Sequence, residues 1–246
     1  MYYWSESNIY PHRTEIKINM KQTFVFFVLI FSFTILKSEA QVKDTLRWSM
    51  EGNIGFEATD FFYQSGGADW DALTLKQNQM VQPAMGASLG CLASRKLNQK
   101  WWLCTGAFWT TKRERYNADS LPNMLSMRND YQWMSIPLLI KYQVSQNEDR
   151  NFFIQGGLNW NAVFQASRTY QVLGMNQSQR VEISEGLQRS SLSAQLRLGW
   201  QWALPAHWYG GVFLQGNYFV QPLGTQEAWS IHPWGCGVGL SLGKRK

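Results

Sequence analysis

The stretch from Ser190 to Leu204 alternates almost without a break between apolar and polar residues, and Arg197 lies in the middle of the polar phase. A period of two is typical of a β-strand and not of a helix. The apolar phase is long enough to cross a bilayer as a tilted strand, and a polar phase with a central charge suits a wet or hydrogen-bonded interior. The pattern predicts a membrane strand with lipid on one face.

The same alternation recurs along the chain and brings the number of predicted strands to about eight. In the segment at 101–110 the pattern leaves open which phase faces inward, and Pro137 predicts a local bulge because proline lacks a ladder donor. The other predicted strands are Leu46–Ala58, Met80–Leu92, 101–110, Tyr131–Val144, 152–165, Trp208–Val220 and 234–243.

Long and short connections alternate between these strands. Thr59–Asn78, Thr111–Asp130 and Ser167–Arg189 are long, whereas the segments at 93–100, 146–151 and 205–206 are short and rich in turn formers. Outer-membrane barrels have short periplasmic turns and longer extracellular loops. We therefore expect an all-β fold, a closed antiparallel up-and-down transmembrane barrel in the outer membrane, with both barrel ends periplasmic and with surface activity in the three long loops.

The first part of the chain has the pattern of an export signal. The apolar run Phe24–Leu36 follows a basic residue, is too short to span a bilayer as a helix, and precedes small residues at Ser38 and Ala40. We expect residues 1–40 to comprise an upstream extension and a signal peptide at 20–40, cleaved after Ala40, and residues 41–246 to form the barrel domain.

The polar phases of the strands predict a network inside the barrel. Unpaired charges in a narrow interior are costly, so the charged members are expected to pair. Two interpretations stay open: a binding or proton-conducting lumen, and a salt-bridged plug that holds a small barrel closed. The predicted network consists of Glu51, Glu57, Lys141, Gln155, Asn159, Asn161, Gln195, Arg197 and Gln215.

Aromatic residues cluster beside the short turns. Amphipathic rings settle at a membrane interface, and outer-membrane barrels carry aromatic girdles at that level. We therefore expect a periplasmic girdle formed by Trp101, Trp102, Tyr142, Phe152, Trp202 and Trp208.

The run Trp133–Tyr142, WMSIPLLIKY, resembles the "I-P-L-L-x-K-Y" strand of PorT-like, or porin-family, outer-membrane β-barrel proteins, and so does the pair Gly156-Gly157 in the next strand. The resemblance implies a barrel without shared catalytic residues. Some members of that family are implicated in protein secretion or cell-envelope assembly. The resemblance therefore implies a non-enzymatic role in envelope assembly, secretion or surface interaction.

Candidates for site chemistry are few. Cys91 and Cys104 flank one short turn, and either a disulfide or two small lipid-facing residues would fit. His207 and His232 fall at opposite ends of the predicted barrel, and Ser230 beside His232 has no acid near it in sequence. The sequence has no phosphate loop, zinc-ligand spacing or nucleotide fingerprint, so we expect no catalytic residues, no cofactor and no metal.

The net charge of +6 is spread over many segments, which argues against a compact nucleic-acid-binding module. Expected partners are outer-membrane lipid and other envelope or secretion proteins, with no nucleic acid and no small-molecule substrate. The alternative is a soluble exported lipocalin-like ligand-binding barrel, whose apolar phase would face inward. A membrane-embedded lipid hydrolase or protease is a weaker third class, because the chain lacks an evident set of catalytic residues.

Overall fold

The computed structural model describes residues 48–65, 71–116, 124–145, 150–174, 177–183, 187–225 and 229–245. The predicted signal peptide and its cleavage site lie outside these residues, so the division into residues 1–40 and 41–246 stays a prediction. In the described part of the chain, no helix is both long and apolar enough to cross a bilayer.

Eight of the described strands form a closed antiparallel ring, in the order β1, β3, β4, β5, β6, β8, β9 and β11, with β11 pairing back to β1. The prediction of an all-β, closed up-and-down barrel of about eight strands is confirmed. In chain order the elements are β1 (Trp48–Ser65), α1 (Asp71–Met80), β2 (Val81–Gln82), β3 (Ala84–Lys96), β4 (Trp101–Tyr116), β5 (Met124–Gln143), β6 (Arg150–Val172), β7 (Gln179–Glu182), β8 (Ser190–Ala203), β9 (Trp208–Phe219), β10 (Gly224–Thr225) and β11 (Trp229–Arg245).

The ring separates the side chains of each strand into two environments. In β8, Leu196 and Leu198 are exposed on the outer surface, whereas Gln195 and Arg197 between them are buried in the interior. Successive strand residues point to opposite faces, so the alternation of the sequence becomes an apolar exterior and a polar interior. The strand at 101–110, now part of β4, follows the same rule, with Phe108 and Thr110 inward and Trp109 outward.

At one end of the barrel the strands extend well beyond their predicted limits. We call this the outer end; the turns β3–β4, β5–β6 and β8–β9 lie at the opposite, turn end. The predicted loops Thr59–Asn78, Thr111–Asp130 and Ser167–Arg189 were wrong in large part, because β1, β4, β5 and β6 continue into them and α1 and β7 form within them. The polar and charged composition of these segments predicts loops, although the period-two alternation of the strands continues into them.

The predicted strand Met80–Leu92 is in fact interrupted at Pro83. The helix α1 ends at Met80, β2 pairs with the end of β4, and β3 begins at Ala84. As a result Val81 is buried inside instead of lying in the outward phase. The short turn that follows β3 is reduced to residues 97–100, where the side-chain oxygen of Asn98 accepts hydrogen bonds from the backbone of the last turn residue and the first residue of β4.

The predicted bulge at Pro137 is also wrong. The β4–β5 ladder omits Ile136 and Pro137 but has the same register on both sides of the gap, and Pro137 pairs with Asn159 of β6. Pro137 therefore interrupts the β4–β5 hydrogen bonding locally, but it does not insert the extra residue that defines a bulge. The β5–β6 pairing has register shifts instead at Gln132–Trp133 and between Met124 and Ser126.

The β5–β6 bulge changes the phase of the outer part of β6. Gln165, which the alternation placed with the inward polar residues, is exposed, while Ala166 and Ser167 are both buried. One extra residue in a ladder reverses the direction of every side chain beyond it. The alternation of β6 therefore predicts the interior only up to Asn161.

Candidate functional site

The interior near the turn end is organised around the carboxylate of Glu51. The Oε2 atom of Glu51 accepts hydrogen bonds from Gln201 Nε2 at 3.1 Å and from the Tyr209 hydroxyl at 3.0 Å. Lys141 Nζ lies 3.9 Å from the same oxygen and donates to Gln201 Oε1 at 2.9 Å. The Lys141 ammonium also lies 4.3 Å from the ring centroid of Phe153. We call these residues the Glu51 cluster; its two charges compensate each other inside the barrel.

A second charged pair lies further toward the outer end. Lys112 Nζ is 2.9 Å from Glu57 Oε1, and both side chains are about 1% exposed. Asn217 Nδ2 donates to the other oxygen of Glu57 at 3.0 Å. The Lys112 ammonium lies 5.8 Å from the Trp133 ring and 5.9 Å from the Phe219 ring. Both ions are thus removed from water and depend on each other for charge compensation.

Arg197 is held in a different way, between two aromatic faces. Its guanidinium carbon lies 5.0 Å from the Phe108 ring centroid and 4.7 Å from that of Phe213. With the Gln195 amide oriented by its partners, its oxygen accepts from Arg197 Nε at 3.0 Å and its nitrogen donates to Asn159 Oδ1 at 3.1 Å. No carboxylate of the described residues lies within ion-pair distance of Arg197, so cation–π contacts and hydrogen bonds hold this charge.

Small polar side chains fill the space between the charged groups. Ser135 Oγ donates to Asn161 Oδ1 at 2.7 Å, and Asn161 and Asn159 each donate to Ser193 Oγ, at 3.0 and 3.3 Å. A cavity of about 30 Å³ remains beside these groups, lined in part by Glu57 and Lys112. A cavity of that size has room for about two water molecules. At this level of the barrel, the described side chains fill most of the interior.

The interior at the outer end contains a buried acid surrounded by aromatic hydroxyls. Glu114 is fully buried and accepts hydrogen bonds from the Tyr63 hydroxyl, from the Tyr131 hydroxyl at 3.0 Å and from Asn129 Nδ2 at 2.6 Å. Asn129 in turn accepts from Arg168 Nε at 3.0 Å. The buried apolar and aromatic cluster that fills this end comprises Phe61, Tyr63, Val81, Tyr116, Tyr131, Trp133, Ala166, Phe219 and Leu223.

Lys112 and Glu114 are the interior charges that the sequence reasoning missed. Both lie in the polar segment Thr111–Asp130, whose composition predicts a loop, and the run TTKRERY is dense in charge. The alternation that identifies them is nonetheless present, since Thr110, Lys112, Glu114 and Tyr116 share one phase and all four are buried. Charge density therefore masked the period-two signal that continued from the membrane part of β4.

The structure places all nine predicted interior residues inside the barrel, each less than about a tenth exposed, but in several groups. Glu51 lies with Lys141, Glu57 with Gln215, and Arg197 with Gln195 and Asn159. The expected charge pairing holds for Glu51 and Lys141, whereas the ion partner of Glu57 is Lys112. The expectation is wrong for Arg197, which has no ion partner among the described residues. The nine are Glu51, Glu57, Lys141, Gln155, Asn159, Asn161, Gln195, Arg197 and Gln215.

The predicted girdle is outward-facing except at one position. Trp102 is buried in the interior against Cys104 and Leu139, so its assignment to the girdle is wrong. Adjacent strand residues face opposite sides, so of the pair Trp101-Trp102 only one can lie outside. Trp101 is outside and packs on Tyr142 with ring centroids 4.7 Å apart. The remaining outward members at the turn end are Tyr142, Phe152, Trp202 and Trp208.

The structure excludes a disulfide between Cys91 and Cys104. Cys91 is exposed on the outer surface opposite Ala107, whereas Cys104 is buried inside opposite Ser94. The two thiols therefore lie on opposite faces of the sheet, and Cys104 is also not the lipid-facing residue that the alternative predicted. The third cysteine, Cys236, is exposed and unpaired as well.

We expect the folded protein to keep all three thiols reduced under a mild oxidant. Alkylation under denaturing conditions, followed by intact-mass measurement, should then add three labels to oxidant-treated protein. A Cys104→Ser variant serves as the control and should accept one label fewer. A mass that shows an intramolecular disulfide in the folded wild type would contradict the register of β3 and β4.

The two histidines of the barrel lie far from each other along the strands. His207 is in the β8–β9 turn at the turn end, whereas His232 is buried near the outer end, opposite Phe62 of β1. The ring of His232 contacts Ser230 Oγ at 3.2 Å through Nε2 and the Phe219 carbonyl oxygen at 3.1 Å through Nδ1. A main-chain carbonyl thus occupies the position that an orienting acid takes in a catalytic triad. Among the described residues, no group of three or more potential ligands could hold a metal ion.

A family model described as "Outer membrane protein beta-barrel domain" matches residues 39–223, which is most of the chain. The chain belongs to this family. As a member of the outer membrane protein beta-barrel domain family, it lies in the lipid bilayer of the outer membrane, and the exposed apolar face of its strands is the face that meets lipid. The lipocalin-like alternative has no support, since polar and charged side chains such as Glu51, Asn159 and Arg197 line the interior where the outward side chains are apolar.

Solved outer-membrane proteins also match this family member at low sequence identity. The outer membrane protein OprG from Pseudomonas aeruginosa is 12% identical, with 81% of this chain and 96% of that chain covered and a TM-score of 0.47. Neisserial surface protein A is 12% identical, with 79% of this chain and 95% of that chain covered and a TM-score of 0.37. Ail, the attachment invasion locus protein of Yersinia pestis, is 13% identical, with 80% of this chain and 99% of that chain covered and a TM-score of 0.32. No curated protein matches the sequence.

Proposed function

We propose that this outer-membrane barrel is a non-enzymatic protein with a closed interior, and that its outer end serves envelope assembly, secretion or surface interaction. The observation that carries the proposal is the filled interior, in which two buried ion pairs and a layer of hydrogen-bonded amides leave a cavity of about 30 Å³. An eight-stranded barrel has an interior just wide enough for side chains.

The interior contacts favour a structural plug over a conducting lumen. Glu51, Glu57 and Glu114 each accept hydrogen bonds from two or more fixed side chains. Groups held in this way stabilise one arrangement of the strands, whereas a transport path needs space in which a solute or water chain can move. The plug therefore acts as a rigid support for the segments at the outer end.

The outer end is where binding is expected. The chain enters β1 and leaves β11 at the turn end, which we place on the periplasmic side, and α1, β2, β7 and β10 lie at the other end. Segments on a rigid scaffold are the usual place for binding residues. The role in assembly or secretion is supported by the resemblance of Trp133–Tyr142 to the PorT-like proteins.

An enzymatic function is disfavoured by the geometry of the Ser230–His232 pair. A serine nucleophile needs a base that is itself oriented by a third group and an oxyanion site near the serine. His232 is instead 8% exposed and bound to a carbonyl oxygen within the wall of the barrel. The pair therefore fits a structural contact between β9 and β11.

Reconstitution in a planar bilayer tests the closed interior. Pure protein is expected to give no steady, discrete conductance steps, because the packed interior admits no continuous water path. A Phe108→Ala/Arg197→Ala double variant, which hollows the middle of the plug, is the comparison and should conduct more than the wild type. Reproducible unitary steps from the wild-type protein would contradict the proposal.

A second experiment tests the role of the outer end. Residues 173–187, which include β7, are replaced by a short glycine–serine linker, and envelope integrity, secretion and surface attachment are measured in cells. At least one of these activities should fall while the amount of folded barrel stays the same. If the variant restores every phenotype of a deletion strain as well as the wild type does, the outer segment that contains β7 is not functional.

A further inference from the structure

Three arginines lie in one cross-strand row on the outward face of the outer end. Arg115 of β4 is directly opposite Arg128 of β5, Arg128 is opposite Thr169 of β6, and Thr169 is opposite Arg180 of β7. We call these four residues the arginine row. Directly paired residues point to the same side of a sheet, and Arg115 lies between the inward Glu114 and Tyr116. The row thus faces away from the interior and spans about 14 Å across four strands.

The row has an excess of positive charge that the described neighbours do not balance. Arg128 Nε lies 2.9 Å from Asp130 Oδ2, but the other oxygen of Asp130 is 3.1 Å from Arg113 Nε, so one carboxylate serves two guanidinium groups. Within the residues that the structure describes, neither Arg115 nor Arg180 forms an ion pair. Like charges directly opposite each other destabilise a strand pair, so the row favours a bound anion.

The position of the row relative to the lipid face limits what that anion is. The outward residues of β4 include Trp101, Leu103 and Trp109, each at least about a third exposed, and beyond Trp109 they change to Thr111, Arg113 and Arg115. An apolar band of an outer-membrane barrel is about 25 Å tall and is flanked by aromatic residues. Trp109 marks the upper edge of that band, and the arginines occupy the second and third outward positions beyond it.

We propose that the arginine row binds the phosphate groups of lipid headgroups in the outer leaflet, as a site for a glycolipid that carries two phosphates. Guanidinium groups bind phosphate oxygens in a bidentate way, and the Thr169 hydroxyl between Arg128 and Arg180 offers a further donor. Arg115 and Arg128 lie on one side of Thr169, and Arg180 lies on the other. A headgroup with two phosphates can therefore place one phosphate on each side of Thr169, which a headgroup with one phosphate cannot do. The assignment to the outer leaflet rests on the proposed function, in which the turn end is periplasmic. Binding of phosphate groups in micelles can be measured whichever way the barrel is oriented.

The experiment compares three forms of the full-length protein in detergent micelles with lipid A as the probe. The row variant is Arg115→Gln/Arg128→Gln/Arg180→Gln, and the matched control removes the same charge at the turn end, Lys100→Gln/Arg150→Gln/Lys244→Gln. Native mass spectrometry measures binding of bisphosphorylated lipid A, its monophosphorylated form and phosphatidylcholine. We expect the wild type and the control to bind the bisphosphorylated lipid at least about tenfold more tightly than the row variant does, because several charge-assisted hydrogen bonds are lost.

Several outcomes would overturn the proposal. They are equal affinity in the row variant and the wild type, an equal loss in the turn-end control, and no preference of the wild type for two phosphates over phosphatidylcholine. Full displacement of the lipid by millimolar sodium phosphate would show a site for free anions instead of a lipid site. The heat-dependent mobility of each variant on a denaturing gel confirms that the barrel has folded, and Arg128→Gln alone gives a milder version of the test. If the planar-bilayer or loop-replacement experiment contradicts the proposed function, the lipid-binding result is unaffected. The two proposals can therefore fail separately.

Discussion

Replacement of Lys112 by methionine is expected to lower the free energy of unfolding by about 3–5 kcal/mol, because it leaves a buried carboxylate without its charge partner. Glu57 is about 1% exposed, and the Lys112 ammonium lies 2.9 Å from it. The remaining contacts of Glu57, with Asn217 and Gln215, are neutral hydrogen bonds and do not compensate a full charge. Equilibrium urea unfolding of protein inserted in lipid vesicles measures the change.

A double variant separates loss of the ion pair from loss of packing. Glu57→Gln/Lys112→Met removes both charges at similar side-chain volume and should recover most of the loss, since neutral replacement of a buried pair is often tolerated. Arg113→Met, at the next position on the exposed face of β4, is the matched surface control and should cost well under about 1 kcal/mol. A double variant as unstable as Lys112→Met would show that packing, and not charge compensation, dominates at this site.

The substitution Leu196→Arg is expected to cost about 2–4 kcal/mol, the amount found for arginine on the lipid face near the bilayer midplane. Leu196 is 53% exposed on the outside of β8, between Gly156 and Gly216 on the neighbouring strands. The surrounding lipid offers no partner for a guanidinium group. Refolding titrations into vesicles of defined composition give the free energy for the variant and the wild type.

The neighbouring change Arg197→Gln is the matched comparison and should cost less, on the order of 1 kcal/mol, from the lost cation–π contacts. Its removal leaves no described carboxylate without an ion partner, and glutamine can still bond to the Gln195 amide. The reverse ranking, with Arg197→Gln the more damaging change, would contradict the assignment of the two faces of β8.

The membrane part of the barrel was predictable because one constraint acts on every strand. Lipid contacts one face and a polar interior the other, so the period-two alternation of Ser190–Leu204 is repeated at each position that crosses the bilayer. The inward Arg197 and Lys141 and the outward Leu196 follow directly from that alternation. Strand count and closure follow too, since an open sheet edge is not tolerated in hydrocarbon.

The outer end was predicted less well because that constraint ends at the membrane surface. Beyond Trp109 the outward residues of β4 are polar, so both phases contain charge, and the run through Arg115 resembles a loop. The bulge at Gln132–Trp133 is a second example, because a one-residue offset between two strands depends on their pairing and leaves no mark in either sequence alone.

The sequence by itself determined, in the membrane strands other than β4, which residues face lipid and which face the interior, because solvent preference acts on each residue separately. Only the tertiary structure decided which interior groups meet: that Glu57 pairs with Lys112, that Arg197 lies between Phe108 and Phe213, and that Cys91 and Cys104 are on opposite faces. The reason is that register and strand stagger fix these contacts. They depend on how strands far apart in sequence align around the closed ring, and not on the pattern within any one strand.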